Sequence, residues 1–387
     1  MALLNSLFSV MQESLGLSLW HRGLLSSSYH GAMLLTMPWV AWILRRHPPV
    51  AVLSSTLMIM VCGSAAMSCA TGISSAVGAR AVIGVAAAFS YVTCIQIASR
   101  WFSASALARI TGIIFAMGAL GGVLSQWVIS ELLPVFTWRT ILRLNSVLGL
   151  CIWSILMTSV EEAHSSDEVA ASPQGLRVQR SWHNAACILL PGCLNILLVV
   201  FGASWGNAFL QAHGNLSSVT SGRICALLYV GELLGAIFWG ELSSRIKKNK
   251  PAIVAGIILA FGVLLSLYAR PFSHPVYFAL SFCGLGIAAS SQFLIYPLIV
   301  AHNAEEHRAS LKSSCVAWLL VLASLVPSLI SWLLSAPLAG SVIATDRIIS
   351  VAIGCVLGAL VLTRLLRDLP APAENANNVA RSQPVSA

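Results

Sequence analysis

Long apolar runs separated by short polar punctuation fill almost the whole chain. Twelve runs stand out, at roughly 1–16, 23–44, 50–72, 76–99, 107–133, 138–160, 185–211, 218–242, 251–270, 275–301, 310–335 and 342–366. Most reach about 20 residues, the length at which a helix rising 1.5 Å per residue crosses ~30 Å of hydrocarbon. The alternation of a barrel strand is absent from the sequence, and a bilayer admits only helices or closed barrels, because backbone groups find no water there. The pattern predicts an all-α integral membrane protein with about twelve transmembrane helices. A polar stretch divides six runs from six. We therefore expect a bundle over 1–160, a cytoplasmic linker over 161–184, a second bundle over 185–367, and a disordered cytoplasmic tail over 368–387. The first run is the weakest: only about a dozen residues precede Gln12 and Glu13, so we expect a truncated first helix, with Met1 entering partway along it.

Composition changes the picture little. The chain is 57% hydrophobic and 9% charged, with mean hydropathy +0.84, whereas a soluble domain carries about 25% charged residues. The net charge of +9 does not point to nucleic acid, because the basic residues gather in short loops between apolar runs and act as topology signals. Placing the central linker in the cytoplasm puts about fifteen of the 22 Lys and Arg inside, and the C-terminus with them. Arg22 falls on the opposite side in this reading, and Arg143 and Asn145 are peripheral. All ten cysteines lie in apolar runs without ligand spacing, so no disulfide or metal site is expected. The HNAEEHR cluster at His302–Arg308 reads as a solvated turn. No phosphate-binding loop or nucleophile–base set is present, so neither an enzyme nor a cofactor is expected.

Several segments carry a family resemblance. RAVIGVAAAF opens the fourth run, with Arg80, Gly84, Ala87 and Ala88 in the pattern R-x-x-x-G-x-x-A-A. GIIFAMGALGGVLSQW makes the fifth run glycine-rich, and GELSSRIKKNKP closes the eighth with Gly240, Arg245, Lys248 and Lys250. Together they resemble the major facilitator superfamily of secondary transporters. In the first-half loop motif only Arg45 persists: Val40 stands for the expected Gly and Leu44 for the expected Asp, while Ser244 replaces the acid in the second half. The resemblance implies two six-helix bundles, a substrate site near the bilayer midplane, and alternating access by rocking. It further implies that helices 1, 4, 7 and 10 line the centre and helices 2, 5, 8 and 11 form the moving interface.

Within that frame, ionisable groups inside the membrane are costly and therefore worth naming. Arg80 is a candidate for attracting an anion, or else snorkels to the interface. Tyr91 lies three turns further along the same face, and Gln96 on another. Asn195, Gln292 and Tyr296 are further candidates for a polar substrate, or else helix-to-helix glue. Glu232 is the leading proton carrier, with Glu13 and His30 behind it. Arg45, Gly240 and Arg245 belong to the gating loops, and Gly118 and Gly122 form a packing pair. Glu241 is expected to pair with Arg245. The reading that follows is proton-coupled uptake of a small polar or anionic organic solute by a monomer in a bacterial inner membrane. The alternatives are an exporter of a drug-like compound or siderophore, and a non-transporting sensor or scaffold.

Overall fold

A computed structural model describes residues 3–159, 181–269, 272–335 and 341–368. Most of the expected linker and the tail beyond Asp368 fall outside these residues. Fourteen α-helices follow one another in the described residues: α1 Leu3–Leu15, α2 Leu19–Arg46, α3 Pro49–Ser68, α4 Ile73–Trp101, α5 Ala104–Leu132, α6 Trp138–Ser159, α7 Trp182–Leu197, α8 Gly206–Gly214, α9 Ser218–Ile246, α10 Lys250–Ala269, α11 Pro275–Ser290, α12 Ile295–His302, α13 Glu305–Ser335 and α14 Ser341–Thr363. Two pairs share a span. A π-helix at Leu198–Ser204 joins α7 to α8, and a 3₁₀ turn at Ser291–Leu294 joins α11 to α12. The twelve expected runs thus each appear as a helix or a broken helix, and ten helical segments are long and apolar enough to cross a bilayer. α1, with 13 residues, is not one of the ten, and neither is α2, whose 28 residues include Arg22, His30 and Ser26–Ser28.

Local chemistry sets the helix ends. Ser181 and Ser217 accept N–H bonds from Asn184 and Thr220 at the starts of α7 and α9, and proline opens α3 and α11. Asn215 and Lys247 close α8 and α9 in the left-handed conformation. Asp368 docks back onto its own bundle, where its Oδ1 accepts the N–H groups of Asn249 and Lys250 at the start of α10.

Lipid offers helices no hydrophobic incentive to associate, so close approach through small residues matters. A Cβ at Gly84 of α4 would lie 2.3 Å from the carbonyl oxygen of Tyr29 on α2. In the second half, Gly231 faces the carbonyl of Cys283, and Gly286 faces that of Leu228, locking α9 against α11. Val40 and Leu44, which replace the family's loop residues, are buried in a small cluster with Val52, Ala88 and Phe89. Across the two halves, α2 packs on α13 and α5 on α9.

Candidate functional site

The halves are joined by a buried polar seam near the α1–α2 turn. Ser26 bonds Ser204 at 2.9 Å, and Ser27 bonds both Ser328 and the carbonyl of Ser324. Asn5 donates to the carbonyl of Gly202 at 3.1 Å and accepts the backbone N–H of Asn207. Gln126 donates to the same Gly202 carbonyl at 2.7 Å and accepts from Ser6 and from the Asn207 amide. Arg22, 3% exposed, donates to the Ser204 carbonyl at 3.2 Å, its guanidinium 4.2 Å from the Phe8 ring centre and 5.0 Å from that of Trp205. Arg22, expected on or near the side opposite the linker, lies one turn into α2 and is sealed by two aromatic faces. Toward the membrane surface the seam ends in an exposed ion pair, Arg223 with Glu131. Deeper in, Phe115 of α5 meets Phe293 of the tenth span edge to face, with ring centres 4.5 Å apart.

Beside this seam lies a cavity of about 500 Å³ bounded by α1, α3, α4, α5 and α6, with Tyr229 of α9 reaching in from the other half. Its walls are mainly leucine, methionine, isoleucine and glycine, and its polar groups are Arg80, Ser64, Ser125, Asn145 and Tyr229. Arg80 is 6% exposed, sits 4.7 Å from the Tyr29 ring centre, and spends one N–H, at Nε, on the Leu25 carbonyl at 3.4 Å. Its two terminal nitrogens make no hydrogen bond within the described residues, and the two ion pairs found there, Arg223–Glu131 and Arg245–Glu241, leave it without a carboxylate. Asn145, read as peripheral, instead borders the cavity and donates to Ser64 at 3.1 Å.

The remaining candidates scatter. Tyr91 is 52% exposed on α4, and Gln96, partly buried a turn and a half further on, has a carbonyl oxygen without a partner. Gln292 is 3% exposed in the 3₁₀ turn, Tyr296 is partly buried just beyond it, and Asn195 is partly buried in the last turn of α7, three residues before the π-helix begins. Glu232 is 7% exposed on α9, one turn from Tyr229, and makes no hydrogen bond or ion pair within the described residues. Glu13 is exposed at the end of α1, away from the cavity. His30 is buried, bonds the Ser26 carbonyl through Nδ1, and packs edge to face on Tyr29. Arg45 and Gly240 are exposed, and Arg245 pairs with Glu241 at 2.7 Å. The glycine pair divides: Gly122 abuts the Tyr229 ring, whereas a Cβ at Gly118 would meet open space, so Gly118 borders the cavity rather than packing. In the HNAEEHR segment, Asn303 is buried in a reciprocal amide pair with Asn184, and His302 lies tilted against His183, ring centres 4.6 Å apart.

Sequence reasoning missed the seam. Asn5, Ser6, Gln126 and Asn207 are each 3% exposed or less. The available signal was their polarity within strongly apolar helices.

Comparison with known proteins agrees with this architecture. No curated protein matches the chain. Among solved structures, a bacterial homologue of the human lysosomal transporter Spinster, inward-facing and unoccupied, superposes with a TM-score of 0.76 at 13% identity, covering 94% of this chain and 92% of that one. A variant of the nucleoside transporter NupG gives 0.78 at 12% identity, covering 95% and 96%. The D-xylose–proton symporter gives 0.70 at 14%, covering 95% and 94%. At these identities the likeness shows the fold. The sequence profile of the Major Facilitator Superfamily matches residues 1–327, and the chain belongs to that family.

Proposed function

We propose that this chain takes up a small polar or anionic organic solute by alternating access, driven by protons. The observation that carries the reading is Arg80, a buried guanidinium on a cavity wall whose two terminal nitrogens have no hydrogen bond and no carboxylate among the described residues. A buried, unpaired charge is expensive, and an anionic solute would supply the missing partner with bidentate geometry. Glu232 is the natural proton carrier: a carboxylate inside the membrane with no cation paired to it among the described residues, one turn from the cavity-lining Tyr229. The name of the D-xylose–proton symporter supports proton coupling on this fold. Basic loops support an orientation with the C-terminus in the cytoplasm of a bacterial cell, which turns the polar seam outward. The protein acts as a monomer in this reading.

The mostly apolar cavity walls favour a second reading, an exporter of compounds with a large hydrocarbon or aromatic body. A deletion strain separates the two. Loss of growth on an organic acid supports uptake, while new sensitivity to hydrophobic toxins supports export. Purified protein in liposomes then tests coupling: an imposed proton gradient should accumulate the solute, and Glu232→Gln should abolish that accumulation while facilitated exchange continues. Unchanged pH dependence in the Glu232→Gln variant removes Glu232 as carrier.

A further inference from the structure

We propose that the cavity opens sideways to the bilayer between α5 and α6, and that its occupant is a single-chain amphipathic monoanion drawn from the lipid. The proposal rests on the anion-binding reading of Arg80 and adds to it the body of the solute and its route of entry. α5 packs on α1, α4 and α9, and α6 packs on α3, but among the described residues α5 and α6 scarcely touch. Glycine keeps the gap between them clear. Gly118 and Gly121 line the cavity, are exposed, and would each place a Cβ in open space. Gly122, the next residue, instead seats the Tyr229 ring and closes the back wall. Both helices are long and apolar enough to span, and Gly118, Gly121 and Leu148 lie near their middles. Around the opening Met117, Leu124, Leu148 and Ile152 are 49–60% exposed. An apolar rim at that depth meets hydrocarbon rather than water.

The interior separates a head group from a tail. Ser125 donates to the Gly122 carbonyl at 2.9 Å, Ser64 to the Leu142 carbonyl at 3.4 Å, and Asn145 to Ser64 at 3.1 Å, so these polar groups are partly spent on the protein. Arg80 is the one charged side chain among the described residues that line the cavity, and its terminal nitrogens have no hydrogen bond there. A monoanionic head answers that guanidinium. The walls around it, Leu7, Leu57, Met60 and Ile83 among them, suit a hydrocarbon chain, and the volume of about 500 Å³ lies within the ~300–1,000 Å³ range of small-molecule sites. Lipid is as apolar as these walls, so burying the chain supplies little of the drive. Arg80 makes the selection, and the opening lets the chain stay in hydrocarbon throughout. A water-borne acid without such a chain would have to cross hydrocarbon to reach the same opening, which is costly for a charge.

The experiment places the purified protein in phosphatidylcholine nanodiscs with a palmitate analogue that carries a diazirine on its chain. Irradiation is followed by mapping of the adducts by mass spectrometry. Adducts should fall on the cavity residues of α5 and α6, Leu148 and Ile152 among them, and excess unlabelled palmitate should remove them while butyrate at the same concentration does not. Arg80→Gln should lower this labelling about tenfold, the scale of losing a charge-assisted bond. Gly118→Phe and Gly121→Phe, whose first added carbon meets open space, should fill the opening and lower labelling by about tenfold as well. Gly112→Phe, on the same helix but outside the cavity, should label as wild type does. Adducts spread evenly over the lipid-facing helices, or butyrate competing as well as palmitate, overturn the proposal. Wild-type labelling in both Gly118→Phe and Gly121→Phe overturns the sideways opening, and the Arg80 reading stands as long as Arg80→Gln still lowers labelling. Wild-type labelling in Arg80→Gln overturns the anion-binding reading and this proposal with it. The readout is binding, so a failed uptake panel overturns the transport reading and leaves this result standing.

Discussion

The Asn5 side chain accepts the backbone N–H of Asn207 at 3.3 Å, joining positions 202 residues apart across the two halves of the bundle. The same amide donates to the carbonyl of Gly202. Truncating it leaves a buried N–H without that acceptor. Asn5→Ala should therefore destabilise the closed form by about 1–3 kcal/mol, read as a lower unfolding temperature in detergent. Unchanged thermal stability would mean that water takes over both bonds.

Gly84 and Gly112 make a matched pair of tests. Gly84→Val forces a side chain against the Tyr29 carbonyl, where even a Cβ would lie 2.3 Å away, so folded protein should be lost on size-exclusion chromatography. Gly112→Ala meets open space and should be neutral, or stabilising by up to about 1 kcal/mol as glycine's helix penalty is removed.

How much of this was legible in the sequence differs between fold and site. Hydropathy marks most spans because lipid demands runs of apolar residues, and the glycines at 84 and 122 stand out because helix packing in lipid depends on small side chains. The seam is harder to see. Asn5 and Ser6 occupy a run too short to be read as a spanning helix, and Arg22 lies at the foot of the next, where loop arginines are usual. Their burial depends on partners about 200 residues away, which no local pattern reveals. The break in the seventh span is likewise hidden, since Leu198–Ser204 is as apolar as its neighbours; the spacing of Gly202 and Gly206 around Ser204 and Trp205 is its one trace. Conversely, Glu13 and His30 were legible as ionisable residues, but the structure leaves one exposed at a helix end and packs the other against its own helix.

The Glu131–Arg223 pair crosses between the halves, yet its side chains are 38% and 55% exposed. Such exposed pairs contribute little to stability, and salt screens them. Arg223→Ala should shift the unfolding temperature by a degree or two at most, and by less in high salt. A large, salt-independent loss would show that the pair is a principal latch.

Asp368 caps α10 from the far end of the chain, accepting N–H bonds at 2.9 and 3.2 Å. Asp368→Ala should cost about 0.5–2 kcal/mol, the usual worth of an N-cap, measured by thermal unfolding. Cutting the chain after Arg367 should cost the same, whereas cutting after Asp368 should cost little. Equal losses from both truncations would place the stabilisation in the tail rather than in this cap.

The most direct test of the account is accumulation of radiolabelled organic acids in proteoliposomes under an imposed proton gradient, comparing wild type with Arg80→Gln. Wild type should concentrate at least one monoanion bearing an apolar body, and Arg80→Gln should weaken its apparent affinity about tenfold or more while remaining folded, as expected for losing a charge-assisted bond. Equal affinity in the two proteins, or accumulation confined to uncharged solutes, would contradict the assignment of Arg80 as the anion-binding group.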